Sequence, residues 1–191
     1  MKSFDKIQKE LDNLEQIINQ AQNIVERFRK FYREEKTKLE NFPLKQVFEE
    51  CIKITKPKWE HEALKRGAKI NIVFERCEDL VVKSNPADLR EVLTNLIFNA
   101  VEAMPKGGKI IFSVYRDGLF GVVEIQDTGT GIPPEIQEHI FEPFFTTKEE
   151  GSGLGLAICY RLIQTLGGEI SFQSSPEEGT TFFIKLPLAT A

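Results

Sequence analysis

The chain has 191 residues, room for one well-buried core and an appendage. Its hydrophobic fraction of 41% and charged fraction of 28% are those of an ordinary soluble globular protein. The formal net charge of -4 gives no basic surface for nucleic acid or an anionic membrane, and no apolar run approaches the roughly 20 residues of a membrane span.

The N-terminal segment is charged and amphipathic, without the apolar stretch of a signal peptide. Phe4, Ile7, Leu11, Leu14, Ile18, Ala21, Val25, Phe28 and Tyr32 recur at alternating steps of three and four, a heptad seam held over about four repeats. Ile17, Ile24 and Phe31 add a second apolar column, which widens the stripe from a zipper towards a four-helix bundle. Such a helix needs a partner, and a second copy of itself is the simplest one; a helix lying back on its own domain is the alternative. Phe42-Pro43 ends it, because a residue before proline is pushed out of the helical region. The expected division is a long helix over residues 1–42 and a folded domain over residues 43–191. A bundle helix that begins at Met1 reads as the remainder of a longer unit.

Beyond Pro43 the pattern is mixed. Leu44 to about Lys65 reads as helix, Lys69 to Glu75 as an alternating strand, and Leu80 to Lys83 as a short strand. Asn85 and Pro86 mark the start of a helix running to about Met104, with Asn85 as its cap. Lys109 to Arg116 and Phe120 to Gln126 form a hairpin turned at Asp117-Gly118. Leu154 to Leu166 is a helix, followed by a second apparent hairpin, Glu169 to Ser174 and Thr180 to Pro187. The expected fold class is α+β, a two-layer α/β sandwich on a mixed or largely antiparallel sheet. The odd number of cysteines (Cys51, Cys77, Cys159), widely spaced, reads as reduced thiols in a cytoplasmic protein.

Four clusters carry candidate chemistry. On the helix from Pro86, Asp88, Glu91, Asn95, Asn99 and Glu102 form a polar stripe opposite Leu89, Leu93, Leu96, Ile97 and Ala100. A solvated face is the plain reading, but asparagines compete with the helix backbone, and an amide oxygen at Asn99 suits a hard cation such as Mg2+. Asp127-Thr128-Gly129-Thr130-Gly131-Ile132 follows a strand; its carboxylate can accept from an exocyclic amine, and an ordinary turn is the alternative. In Ile140 to Lys148, Phe141, Phe144 and Phe145 would anchor a loop while Thr146, Thr147 and Lys148 face an anion. Gly151-Ser152-Gly153-Leu154-Gly155-Leu156 opens a helix, which is phosphate-binding geometry, yet it matches neither a Walker loop nor a Rossmann fingerprint.

In this order and spacing, Asn95 to Ala103, Asp127 to Gly131, Phe141 to Lys148 and Gly151 to Leu156 resemble the N, G1, F and G2 boxes of sensor histidine kinases, and Gly179 to Phe182 resembles the closing motif of their catalytic domain. The resemblance covers about residues 44–188. It implies a Bergerat-type ATP-binding fold with ATP and Mg2+ as cofactors. It implies that Asn99 ligates Mg2+ with support from Asn95. Asp127 would hold the adenine amine in a pocket shaped by Gly129 and Gly131, with Ile132 and Leu156 against the base. Thr146 to Gly155 would be the ATP lid, with Lys148, Gly153 and Gly155 at the phosphates; Thr181 joins the site residues. Many relatives carry lysine where Glu102 stands here, which shifts that load to Lys148. The N-terminal helix resembles the second helix of the family's dimerisation hairpin. The hairpin's first helix, with the phosphoacceptor histidine, would lie elsewhere, and a response-regulator receiver domain would be the onward partner. His61 mimics an acceptor motif but reads as a surface position, and His139 as structural.

ATPases of the gyrase and chaperone type share that fold and resemble E-x-x-x-N on the same helix, with the glutamate activating water. Asn95 occupies that place here, and an amide is no general base. An ATPase or a non-catalytic nucleotide-binding dimer module are the alternatives to a kinase.

Overall fold

The computed structural model describes residues 38–148 and 151–189, together with Ile7, Gln8, Leu11, Leu14, Glu15, Ile18, Gln22 and Val25. Those eight positions are helical, and Ile7, Leu11, Leu14, Ile18 and Val25 of the seam are 52–59% exposed. Phe4, Ala21, Phe28, Tyr32 and the second column of Ile17, Ile24 and Phe31 lie outside the described residues.

The first strand, β1 (Glu40–Pro43), corrects the expected boundary at residue 42. It pairs antiparallel with β3 (Val81–Ser84), Phe42 opposite Val82. The proline rule that bars Phe42 from a helix also favours the extended backbone a strand needs. Helix α1 (Leu44–Lys65) follows directly, then edge strand β2 (Ile70–Cys77). Helix α2 (Pro86–Ala103) starts at Asn85, whose side-chain oxygen accepts from the backbone N–H of Ala87 at 2.9 Å and of Asp88 at 3.0 Å. Strands β4 (Gly108–Asp117) and β5 (Phe120–Asp127) form the first hairpin. A short helix, α3 (Pro134–Gln137), precedes α4 (Gly155–Thr165), and β6 (Glu169–Ser175) and β7 (Gly179–Pro187) form the second hairpin.

The main sheet runs in the order β2-β4-β5-β7-β6, parallel only between β2 and β4. Its period of two sends Ile110, Phe112, Val123, Ile125, Phe182 and Ile184 to one face, where all are buried. Leu89, Leu93, Leu96 and Ile97 of α2 and Ile163 of α4 cover that face. Phe48 of α1 meets Phe112 edge-on with centroids 4.3 Å apart. Each such side chain contributes about 1.5–3 kcal/mol through burial. Among the described residues, helices α1, α2 and α4 lie on one face of the sheet, which makes the expected two-layer sandwich.

Candidate functional site

With its apolar side committed to the core, α2 turns Asn95, Asn99 and Glu102 the other way. Asn95 and Asn99 are half-buried and Glu102 is exposed. The Asn95 amide acts on the Cys159 thiol of α4, lowering its pKa against the larger effect of burial, and a Cβ placed on Gly155 would stand 3.7 Å from Asn95 Oδ1. The start of α4 therefore lies beside the middle of α2. Among the described residues no side chain caps α4, which leaves its first backbone N–H groups available to an anion.

Asp127 ends β5 on the helix-facing side of the sheet and is 4% exposed. Its Oδ1 accepts the Gly129 N–H at 2.8 Å, and the Thr180 backbone N–H also bonds to the carboxylate. Burial nonetheless raises its pKa above the ordinary carboxylate value, the two backbone bonds opposing that shift. Contacts to α2 and to the β6–β7 hairpin hold the loop after Asp127. Thr130 N–H donates to Ala103 O at the end of α2 at 3.0 Å, Glu177 N–H donates to Thr130 O at 2.8 Å, and Ile132 N–H donates to Ser174 Oγ at 2.8 Å. Gly131 has φ +70, and a Cβ there would fall 2.0 Å from Ser175 O, so only glycine fits.

The segment 140–148 divides its phenylalanines. Phe141 packs against Tyr160 and Phe172, at 5.4 and 5.9 Å between centroids, and Phe145 lies 5.8 Å from the His139 ring. Phe144 departs from the expected anchoring role. It is 57% exposed at φ 69, held where its N–H donates to Gly153 O at 2.9 Å. That contact is backbone on backbone: a Cβ on Gly153 would lie 2.3 Å from the Phe144 carbonyl carbon. His139 bonds to Glu142 through Nδ1 at 2.9 Å, and that carboxylate raises its pKa. His61 is exposed on α1, as expected of a surface position.

Lys148 closes the segment onto α2. Its Nζ donates to Asn99 Oδ1 at 3.2 Å and forms an ion pair with Glu102. Thr146 Oγ1 accepts the Lys148 N–H at 3.1 Å, and Gly151 N–H donates to Lys148 O at 3.2 Å. Thr147 is exposed, and Ser152 is half-buried. Leu154 is fully buried, while Ile132 and Leu156 are half-buried and pack on the core.

One expected site residue falls elsewhere. Asp127 pairs with Thr180, and Thr181 pairs with Gln126 and Gln173, so Thr181 belongs to the opposite face of the sheet. Thr180 is the threonine at Asp127; it is 4% exposed, with Oγ1 2.9 Å from Ser174 Oγ. Neither Thr180 nor Ser174 stands out in the sequence; the register of β5 against β7 is what places Thr180 at Asp127.

Asn99 Oδ1 already holds a cationic group, which fits a hard-cation ligand, and the buried Asp127 carboxylate fits a nucleobase amine. This combination defines an ATP-binding domain. The family model of histidine kinase-, DNA gyrase B-, and HSP90-like ATPases matches residues 84–190, and the chain belongs to that family.

Its relatives narrow the class to histidine kinase catalytic ATP-binding domains. Sensor kinase CckA of Brucella abortus (strain 2308) is 36% identical over 193 residues, covering 92% of this chain and 20% of that protein. The catalytic domain of histidine kinase ThkA aligns with a TM-score of 0.65 at 33% identity, over 78% of this chain and 95% of that one. Histidine kinase ThkA in complex with response regulator protein TrrA gives a TM-score of 0.70 at 30% identity, over 94% and 49%. The chain spans about a third or less of the length of the curated relatives it matches. Among the described residues no helix is long and apolar enough to cross a membrane.

Proposed function

We propose that this domain binds ATP with Mg2+ and donates the γ-phosphoryl group to a histidine on a dimerisation hairpin, for onward transfer to a response-regulator aspartate. The observation that carries this reading is the meeting of lid and helix at Asn99, where Lys148 donates to its Oδ1. An amide oxygen that accepts from a cation and a lid lysine lie on the same helix face, the kinds of group that phosphoryl transfer positions around phosphates. In this reading Asn99 holds the metal and Asp127 the adenine amine. Gly129, Gly131, Ile132 and Leu156 shape the base pocket. Thr146, Thr147, Lys148, Gly151, Ser152, Gly153, Leu154 and Gly155 enclose the phosphates, with Thr180 backing Asp127 in place of Thr181. Bound Mg2+ would neutralise phosphate charge. The imidazole nitrogen would attack the γ-phosphorus as its bond to the β–γ bridging oxygen breaks, leaving ADP.

Asn95 favours kinase over hydrolase. It places an amide, which is no general base, where a water-activating carboxylate would stand. The exposed seam positions Ile7, Leu11, Leu14, Ile18 and Val25 support pairing with a second copy through a completed hairpin bundle. The site of action is the cytoplasm.

The deciding experiment supplies a dimerisation hairpin bearing the acceptor histidine in trans, with ATP labelled at the γ-phosphate. Acid-labile, Mg2+-dependent label on the hairpin is expected, absent from Asn99→Asp and Asp127→Asn variants. Rapid release of inorganic phosphate without hairpin labelling would favour the ATPase reading.

A further inference from the structure

Two half-exposed side chains meet on one face of α2. Lys148 reaches across 46 residues of sequence to pair with Glu102, and the same ammonium donates to Asn99 Oδ1. Each side chain of the ion pair keeps 48% of its surface exposed. Glu102 stands in the last turn of α2, a turn without a basic residue, so its carboxylate faces the negative end of the helix dipole. Lys148 supplies the cation that this helix end lacks.

The amide oxygen that receives the lysine is the one proposed above for the metal. A dication on Asn99 Oδ1 would sit about 2 Å from that oxygen. An ammonium in hydrogen bond to the same atom would then lie within a few ångströms of a double positive charge. Repulsion at that range outweighs what a half-exposed ion pair returns. Lysine and metal therefore exclude one another at Asn99.

We propose that Glu102 is a positioning residue for nucleotide loading: it seats Lys148 on Asn99 as an internal cation that latches the lid to α2, and ATP with Mg2+ enters by displacing that lysine towards the phosphates. This rests on the nucleotide-site reading and adds to it a competition between the lid and the metal. It also fixes a sign. A carboxylate beside a dication attracts it, so if Glu102 simply helped to hold Mg2+, Glu102→Gln would raise the Mg2+ needed. A latch requires the reverse.

The test is a Mg2+ titration of the whole chain at a fixed concentration of a fluorescent ATP analogue, for the wild type, Glu102→Gln, Lys148→Met and the double variant. Glu102→Gln is expected to lower the half-saturating Mg2+ by about two- to fivefold, the range open to a half-exposed ion pair. In the Lys148→Met background it should lower it no further. A raised or unchanged half-saturation in Glu102→Gln overturns the latch, and so does a full effect that persists without Lys148. A second readout needs no nucleotide: trypsin should cut after Lys148 faster in Glu102→Gln than in the wild type, and equal rates count against the latch. If the wild type binds no analogue at any Mg2+ concentration, the nucleotide-site reading fails and the latch with it; binding with the wrong sign in Glu102→Gln defeats the latch alone.

Discussion

Asp127 and Gly129 close a short turn on themselves, the buried carboxylate Oδ1 accepting the Gly129 N–H at 2.8 Å. Desolvation is the largest influence on this acid and raises its pKa; the Gly129 and Thr180 N–H groups oppose it without prevailing. The folded chain therefore holds this proton more tightly than the unfolded chain does. The resulting stability is fully present below the ordinary value of 3.8 and is lost as pH rises through the raised folded value. Asp127→Asn removes this titration. In urea unfolding at pH 4 and pH 6.5, the stability of wild type relative to Asp127→Asn should fall at the higher pH. A constant difference would mean that the backbone bonds, not burial, dominate.

Gly131 offers a contrast between strain and collision. Gly118 and Gly131 have similar φ values, +60 and +70, but a Cβ on Gly118 meets nothing within 4 Å. Gly118→Ala should cost only the left-handed penalty, about 1–2 kcal/mol. Gly131→Ala adds a collision with Ser175 O and must displace the loop that carries Ile132. Its expected signature is a loss of ATP-analogue affinity of at least about tenfold, about 1.4 kcal/mol, in addition to the backbone penalty in stability. Gly118→Ala should bind as the wild type does. Calorimetric titration of both variants separates the two costs.

The same local physics explains what could be read ahead of the structure. Helices α1, α2 and α4 and both hairpins follow from periodicity and capping, because each is decided within its own ten or twenty residues. Strand β1 was missed: four residues carry too little pattern, and its partner β3 lies about forty positions away. Thr180 and Thr181 are chemically identical neighbours, and only the register against Asp127 tells them apart. Phe144 looked like its two companions until its backbone bond to Gly153 fixed it facing outwards. Charge at Glu102 and Lys148 is plain in the sequence; their meeting depends on the path of the lid.

Ser174 is the hydroxyl that ties the loop after Asp127 to the β6–β7 turn. It accepts from Ile132 N–H at 2.8 Å, donates to Gly179 O at 2.9 Å, and lies 2.9 Å from Thr180 Oγ1. Ser174→Ala strands a part-buried N–H and a carbonyl together, at a cost of about 1–3 kcal/mol for an unsatisfied group. Denaturant unfolding should show that loss. Ser174→Thr, which restores the hydroxyl, should recover more than half of it, whereas a neutral Ser174→Ala would remove Ser174 from any supporting role.

Asn85 joins the segment before β1 to the helix that carries Asn99. While its oxygen caps α2, its Nδ2 donates to Lys38 O at 3.1 Å. Asn85→Ala should destabilise the domain by about 0.5–2 kcal/mol, the usual value of a cap. Asn85→Ser keeps a cap oxygen but has no amide for Lys38. Its unfolding free energy should lie near that of the wild type, while amide hydrogen exchange around residues 38–43 should increase. Unaltered exchange would show that the strap is held by the β1–β3 ladder alone.

The three cysteines differ in a way that chemistry can read directly. Cys51 and Cys159 are 2% and 0% exposed, and burial pushes their thiols up to about 11 and about 12 respectively. Both are neutral at pH 8, and a neutral thiol is a poor nucleophile. Cys77, on edge strand β2, is half-buried. At pH 8 a disulfide-exchange reagent should therefore titrate one thiol quickly, and Cys77→Ser should abolish that phase. The other two should react only at the rate of unfolding, so denaturant should accelerate them in step with loss of helical signal. The raised thiol pKa values also have a direction in stability. The neutral thiols favour the folded chain fully below the ordinary value of 9.0, and that preference is lost as pH climbs through about 11 for Cys51 and about 12 for Cys159. A Cys51→Ala variant, measured against wild type in alkaline unfolding, should show a weaker decline between pH 9 and 11; an identical decline would mean that other groups govern alkaline unfolding.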